Sequence, residues 1–320
     1  MKKYSVAIIG ATGLVGQKMI EVLEERKFPV AGLVPLASSQ SKGSRVRFCG
    51  NEVEVKALSK DSFKGVDIAL FSAGADVSKE YAPLAVKSGA TVIDNTSAFR
   101  MDKDVPLVVP EVNPGEIKRS KGIIANPNCS TIQLVCVLNP IHTAARIRRV
   151  VVATYQSVSG AGKEALAELE ARAKGSRLAY NCIPHIDVFE ANGYTKEEMK
   201  IVNETRKIMG DNSIRITCTA VRVPVRVCHC EAANIETEKK MSPGDVRGVL
   251  SKAPGVVVMD DPRKPLYPLP SEIEGRDEVF VGRIREDVSV TNGIDMWIVA
   301  DNVRKGAATN AVQIAEFLID

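Results

Sequence analysis

The sequence predicts an α/β chain of two domains: a parallel nucleotide-type sheet first, then an α+β domain. Three observations carry this. An apolar strand at residues 6–9 runs straight into glycines at 10, 13 and 16 and then a helix. Short apolar runs alternate with helical periodicity as far as Ala125. From Arg146 the pattern changes to long β-rich segments. At 320 residues the chain is long enough for two cores. The expected division is 1–128, completed by a returning helix at 302–320, and 129–301.

Bulk properties exclude several classes of function. A net charge of +4 without a concentrated basic patch argues against nucleic-acid and membrane-surface partners. No apolar run approaches membrane-spanning length, and residues 1–4 read as no targeting segment. Seven cysteines without regular spacing argue against a disulfide framework. The expectation is a cytoplasmic protein with reduced thiols.

In the first half, Gly10-Ala11-Thr12-Gly13-Leu14-Val15-Gly16 follows the strand at once. Glycines there let the backbone turn tightly and approach a pyrophosphate, which then faces the positive end of the helix. Val15, Met19, Val22 and Leu23 share one helix face, and Phe28-Pro29 ends it. The next strand, 33–37, leads into Ser38-Ser39-Gln40-Ser41-Lys42-Gly43-Ser44-Arg45. An NAD site places a carboxylate there for the ribose 2′-hydroxyl. This chain has hydroxyls and two cations instead, which favours NADP. Strands at 68–71 and 91–93 flank a helix over 77–86, which completes a doubly wound pattern. Ser72-Ala73-Gly74 and Asn95-Thr96-Ser97-Ala98-Phe99-Arg100 lie at carboxyl ends of strands, where ligands bind in such sheets. Arg100 there is an anion clamp or a surface arginine. Residues 108–114, broken by proline, read as a connector.

The chain is organised around Asn126-Pro127-Asn128-Cys129-Ser130-Thr131. An apolar run ends at Ala125, turn chemistry follows, and Cys129 opens a helical segment. A thiol in the first turn lies where the helix dipole and unpaired N–H groups favour a thiolate, the form that attacks acyl carbon; the plain alternative is an ordinary small apolar cysteine. The backbone N–H groups beside it are the expected oxyanion donors. A strand at 150–153 leads to Gln156, placed near a reacting carbonyl or simply structural, and then to the loop of Ser159 and Gly160. Thr195 and Glu198 form a capping box on a helix reaching Met209. On it Glu204 and Lys207 share a face, as a solvated pair or as a site for an ammonium and an anion.

A β-rich run then covers 214–236. Arg222 and His229 are seven residues apart within it, which in one strand puts them on opposite faces unless a bend near Pro224 resets the register. Cys228-His229-Cys230 cannot converge on a metal from a strand, because thiols and imidazole point opposite ways. His229 is the natural acid–base partner for Cys129 if the fold brings the two together, and otherwise a structural histidine. Late strands at 278–284 and 294–300 precede a terminal helix, with Asn302 expected near the cofactor.

The Gly10–Gly16 loop, the Asp94-to-Arg100 stretch, Asn126-to-Thr131, Thr154-to-Gly162, Glu204-Thr205-Arg206-Lys207 and Arg222 through His229 resemble, in this order, the aspartate-β-semialdehyde dehydrogenase family. The resemblance covers nearly the whole chain. It implies a Rossmann-like first domain, a second catalytic and dimerisation domain, and assembly as a homodimer or homotetramer. The implied reaction is NADPH-dependent reductive dephosphorylation of β-aspartyl phosphate to aspartate semialdehyde and phosphate, on the route to lysine, threonine and methionine. It also implies that Cys129 is the nucleophile, Gln156 orients the acyl group, and His229 is the acid–base residue. Arg222 would pair with the substrate carboxylate, Glu204 with its ammonium, and Arg100 and Lys207 with phosphate, so Arg222 and His229 would share a pocket. Candidate cofactor contacts are Gly10, Thr12, Gly13, Leu14 and Val15 in the loop, and Ser38 and Ser39 after the second strand. Further along they are Ser72 and Gly74, then Ser159, Gly160 and Asn302. The family often has an arginine where this chain has Gln40, and usually a hydroxyl or small residue beside its histidine, where this chain has Cys228 and Cys230.

Two other functions compete. N-acetyl-γ-glutamyl-phosphate reductase shares the acyl-phosphate chemistry, but its substrate has no free ammonium for Glu204. A non-catalytic NADP-sensing Rossmann protein needs the glycine loop but gives no reason for Cys129, Gln156 and His229 together.

Overall fold

The computed structural model describes residues 2–172 and 175–319. It divides into two compact units, Met1–Pro127 with Ala307–Asp320, and Asn128–Gly306. The breaks fall one residue before the expected 128/129 boundary and five after the expected 301/302 boundary. Both shifts have a physical cause. Asn128 caps the first helix of the second unit, and Asn302 hydrogen-bonds to Ser157, Ser159 and Cys228 of that unit.

The first unit opens with β1 (Tyr4–Ile9), α1 (Leu14–Glu25) and β2 (Val30–Ala37). A hairpin of β3 (Arg45–Phe48) and β4 (Asn51–Glu54) follows, then β5 (Lys56–Ala57) and β6 (Ile68–Phe71). It continues through α2 (Ala75–Lys87), β7 (Thr91–Asp94) and β8 (Ile123–Ala125). Six strands form a parallel sheet in the order β5-β2-β1-β6-β7-β8. Alternate side chains feed two cores, as strand geometry requires. Val6, Ile8, Leu70 and Ile93 pack with Met19 and Leu23, while Ala7, Ile9, Phe71 and Val92 pack with Phe63, Ala82 and Ala85. The β3–β4 hairpin was not legible in the sequence. Its two-residue turn puts Cys49 and Gly50 at φ of 49° and 78°, and a cysteine is no signal for that conformation.

The second unit begins with α3 (Cys129–Ala145), followed by β9 (Ile147–Gln156), α4 (Lys163–Ala171) and α5 (Lys196–Met209). Then come β10 (Arg215–Arg222), β11 (His229–Thr237), α6 (Pro243–Leu250) and β12 (Val256–Val258). It ends with α7 (Pro270–Ile273), β13 (Val279–Glu286) and β14 (Gly293–Ala300). The strands form a mixed sheet in the order β10-β9-β11-β14-β13-β12. α3 is apolar on every side and buried from Ser130 to Leu138, lying on β9, β11, β13 and β14. The sheet face beneath it is lined by Val150, Val152, Ala233, Ile235, Met296 and Ile298. The other face is half-exposed and carries Tyr155 against Trp297 at 5.3 Å between ring centroids.

The expected continuous β run is two strands. β10 stops at Arg222, residues 223–228 leave the sheet, and the chain re-enters as β11 on the far side of β9. Pro224 cannot donate to a ladder, and Cys228 sits at φ 73°, which turns the chain before His229. After a π turn over Arg304–Ala308, α8 (Thr309–Ile319) rejoins the first unit. It packs on α1, with Arg26 and Glu316 paired at 2.7 Å. Among the described residues no helix is long and apolar enough to cross a membrane, and all seven cysteines are free thiols.

Candidate active site

In the first unit the glycine loop is built for close approach. Gly10 has φ 88°, and a Cβ on Gly16 would lie 2.1 Å from the Gly10 carbonyl oxygen, so only glycine lets α1 sit this near β1. Beside the loop is a cleft of about 440 Å³. Gly10, Thr12, Gly13, Ser38 and Ser72 line it, as the sequence places them. Leu58, Val77 and Tyr81 supply an apolar wall that sequence reasoning missed, although 77 and 81 share a helix face. Leu14 and Val15 open α1, Ser39 starts a 3₁₀ turn, and Gly74 caps α2 at φ 103°. A glycine cradle against a helix N-terminus, with a cleft of this size, fits a dinucleotide. Of the two cations in the Ser38–Arg45 loop, Arg45 pairs with Glu52 across the hairpin at 2.6 Å. Arg100 is buried, not a surface arginine. Its Nε donates to the Asn126 carbonyl and its Nη2 to the Asn95 carbonyl, each at 2.9 Å. Asp94 nearby has its carboxyl pushed up by burial, against hydrogen bonds from Thr96 and Ser78.

In the second unit Cys129 is the first residue of α3, capped by Asn128, whose Oδ1 accepts from the N–H groups of Ser130 and Thr131. This corrects an expectation: those two N–H groups are committed to the cap and are not oxyanion donors. A Cβ on Gly306 would lie 3.0 Å from the Cys129 Cβ, so the space over the thiol depends on a glycine that no motif marked.

Sheet register assembles the partners. Arg222 on β10 lies opposite Gln156 on β9, and Cys230 lies opposite Tyr155, so one step further His229 reaches the level of Gln156. Three adjacent strands thus present Arg222, Gln156 and His229 at one height on the buried face. The odd spacing of Arg222 and His229 is harmless because they belong to different strands. A single point, the Cβ position of Gly160, is 3.1 Å from Arg222 Nη1 and 3.2 Å from His229 Nε2. Arg222 Nη1 donates to the Ser157 carbonyl at 2.6 Å. Burial lowers the Arg222 pKa, opposed by the charges of Cys129 and Glu197.

His229 is fully buried, and burial followed by the Arg222 charge lowers its pKa well below the ordinary 6.5. The Ser157 N–H donates to its Nδ1 at 3.0 Å, so the neutral ring carries its proton on Nε2. That Nε2 has no hydrogen-bond partner among the described residues. Asn302 sits behind this arrangement. Its Oδ1 lies 3.0 Å from the Ser157 and Ser159 hydroxyls and from the Cys228 N–H, fixing the loop that holds His229. Ser159 and Gly160 are part of the same loop.

On α5 the capping box is present: Thr195 accepts from the Glu198 N–H, and Glu198 returns to the Thr195 N–H at 2.7 Å. Glu204 is buried, and its Oε2 accepts from the Asn128 N–H at 2.7 Å, so a substrate ammonium would share this carboxylate. Lys207 is half-buried on the same helix. Burial pushes Cys228 up and Cys230 up to about 12, so neither is a thiolate at neutral pH. Among the described residues no group of three or more His, Cys, Asp or Glu could hold a metal.

Glu231 was missed in the sequence. It lies on the His229 face of β11, fully buried, with no well-placed partner for either oxygen among the described residues. Burial raises its carboxyl well above 4.5, and only the Gln133 amide opposes this. Above about 4.5 the unfolded chain releases this proton and the folded chain keeps it, so stability falls as pH rises. Glu231→Gln removes the penalty. Its Tm relative to the parent should grow by about 2–4 °C between pH 5 and 8, read by thermal melts. A constant difference across that range would refute the neutral-acid assignment.

The chain is similar over nearly its whole length to known proteins. The semialdehyde dehydrogenase NAD binding domain matches residues 5–120, and the semialdehyde dehydrogenase dimerisation domain matches residues 138–305. An aspartate-semialdehyde dehydrogenase from Aquifex aeolicus is 57% identical, over 99% of this chain and 98% of its own length. A crystal structure of aspartate semialdehyde dehydrogenase II from Vibrio cholerae, complexed with ASA, superposes with a TM-score of 0.96 at 48% identity, covering 100% of this chain and 99% of that one. One from Candida albicans, with NADP, gives 0.81 at 27% identity, covering 99% of each chain. With the glycine cradle, the helix-opening cysteine and the matched lengths in agreement, this chain belongs to the aspartate-semialdehyde dehydrogenase family.

Proposed function

We propose that the protein is an NADPH-dependent oxidoreductase that converts β-aspartyl phosphate to L-aspartate 4-semialdehyde and phosphate through a thioester on Cys129. The observation that carries this reading is the alignment of Arg222, Gln156 and His229 on one sheet face beneath the helix that Cys129 opens.

The Cys129 thiolate attacks the acyl carbon, the C–O bond to phosphate breaks, and phosphate leaves with its electron pair. When bound, the nicotinamide cofactor supplies the hydride that reduces the thioester. Arg222 takes the substrate carboxylate, Glu204 its ammonium, and Lys207 its phosphate. Arg100, held by two backbone carbonyls, is assigned to phosphate on the family resemblance alone. His229 has a specific role among the donors near the acyl group. The Ser130 and Thr131 N–H groups serve the helix cap, and the Gln156 amide hydrogens are taken by Glu197 and Thr154. The His229 Nε2–H is a buried side-chain donor with no partner among the described residues, and it serves the tetrahedral oxyanion.

NADP is favoured over NAD because the loop after β2 has hydroxyls and Lys42 and no carboxylate. The half-exposed sheet face around Tyr155 and Trp297 is the self-association face, in a homodimer or homotetramer. The deciding experiment is reduction of NADP by aspartate semialdehyde with and without phosphate, followed by cofactor absorbance. NAD and N-acetylglutamate semialdehyde run in parallel. Turnover that needs phosphate and the free-amine aldehyde supports the reading. Preference for the acetylated aldehyde would transfer the protein to the reductase alternative.

A further inference from the structure

Glu197, two residues into α5, is a buried carboxylate that no step above uses. Its Oε1 accepts from Asn128 Nδ2 at 2.8 Å and from Gln156 Nε2 at 3.0 Å. Its Oε2 lies 3.2 Å from Lys200 Nζ, which also reaches Asp187 at 2.7 Å. Burial alone would raise the Glu197 pKa, but Lys200 and the two amides outweigh it and hold the group ionised.

An ionised carboxylate only accepts hydrogen bonds. Both amides must therefore turn their NH₂ groups toward it, whatever else surrounds them. For Asn128 this leaves Oδ1 on the N–H groups of Ser130 and Thr131, the cap of the helix that Cys129 opens. For Gln156, whose NH₂ is also 3.3 Å from Thr154 Oγ1, it leaves Oε1 as the atom offered to the reacting group. An acceptor there repels the acyl oxygen, which must then face the Nε2–H of His229.

We propose that Glu197 is a positioning residue that fixes the polarity of the Asn128 and Gln156 amides, and so decides which way the acyl oxygen points. This rests on the function proposed above and deepens it.

The test compares the parent, E197L and E197Q in kcat and KM with aspartate semialdehyde, phosphate and NADP, alongside NADP affinity and Tm. E197L removes the acceptor, so kcat should fall about 100-fold with NADP affinity unchanged. E197Q still offers one amide oxygen to both NH₂ groups and should recover to within about tenfold of the parent. If E197L does not fold, Q156E and Q156E/E197Q carry the test. The single change sets two carboxylates together, whereas the exchange restores a donor–acceptor pair with an acceptor facing substrate. The double variant should exceed Q156E at least about tenfold. An active parent with E197L within threefold of it, or no recovery on exchange, would overturn this inference alone. A parent without phosphate-dependent turnover would overturn the proposed reaction itself.

Discussion

A Cys129→Ala protein should keep its fold and its NADPH binding while turnover falls by at least about 10⁴-fold. The substitution deletes one sulfur at a partly exposed position. The helix it opens stays capped by Asn128, and the glycine cradle lies in the other unit. Stability should change little, so lost turnover reports chemistry. The check is phosphate-dependent turnover beside a melting curve and an NADPH titration. A variant running near the parent rate would remove the nucleophile assignment and with it the thioester.

His229→Asn should cost about 10²–10³-fold in kcat, the effect of deleting one oxyanion donor. The proton argument has a separate readout. The chain has only three histidines, so the His229 ring signal in an NMR titration can be assigned by its loss in the variant. Burial and Arg222 keep this ring neutral, so the signal should not titrate near the ordinary 6.5. The stability sign follows from the same depression. Below 6.5 the unfolded histidine takes a proton that the folded one refuses, so this residue makes the parent lose stability on acidification. His229→Asn should lose less over that range. A His229 signal that titrates near 6.5 would replace the neutral donor with an imidazolium.

Several features were legible from residues alone because neighbours encode them. The strand, glycines and helix of 6–25 are adjacent in sequence, and the capping box at Thr195 and Glu198 spans one turn. Cys129 at a helix start follows from the turn chemistry before it. Other expectations needed the structure to decide them. Strand parity alone set Arg222 against His229, whereas the resemblance put them in one pocket with a bend near Pro224, and residues 223–228 do leave the sheet and cross β9. The oxyanion donors beside Cys129 were plausible until the Asn128 side chain was seen to occupy two of them.

What the sequence determined by itself was the α/β class, the nucleotide loop, the place of Cys129 at a helix start and, through ordered motifs, the family. Tertiary structure alone decided the level shared by Arg222, Gln156 and His229, the Nε2 proton, the Gly306 clearance and the hold of Glu197 on an amide 41 residues away. The division is physical. Turns, caps and periodicity depend on residues within a helical turn, whereas register, burial and the satisfaction of polar atoms depend on which distant strands and helices pack together.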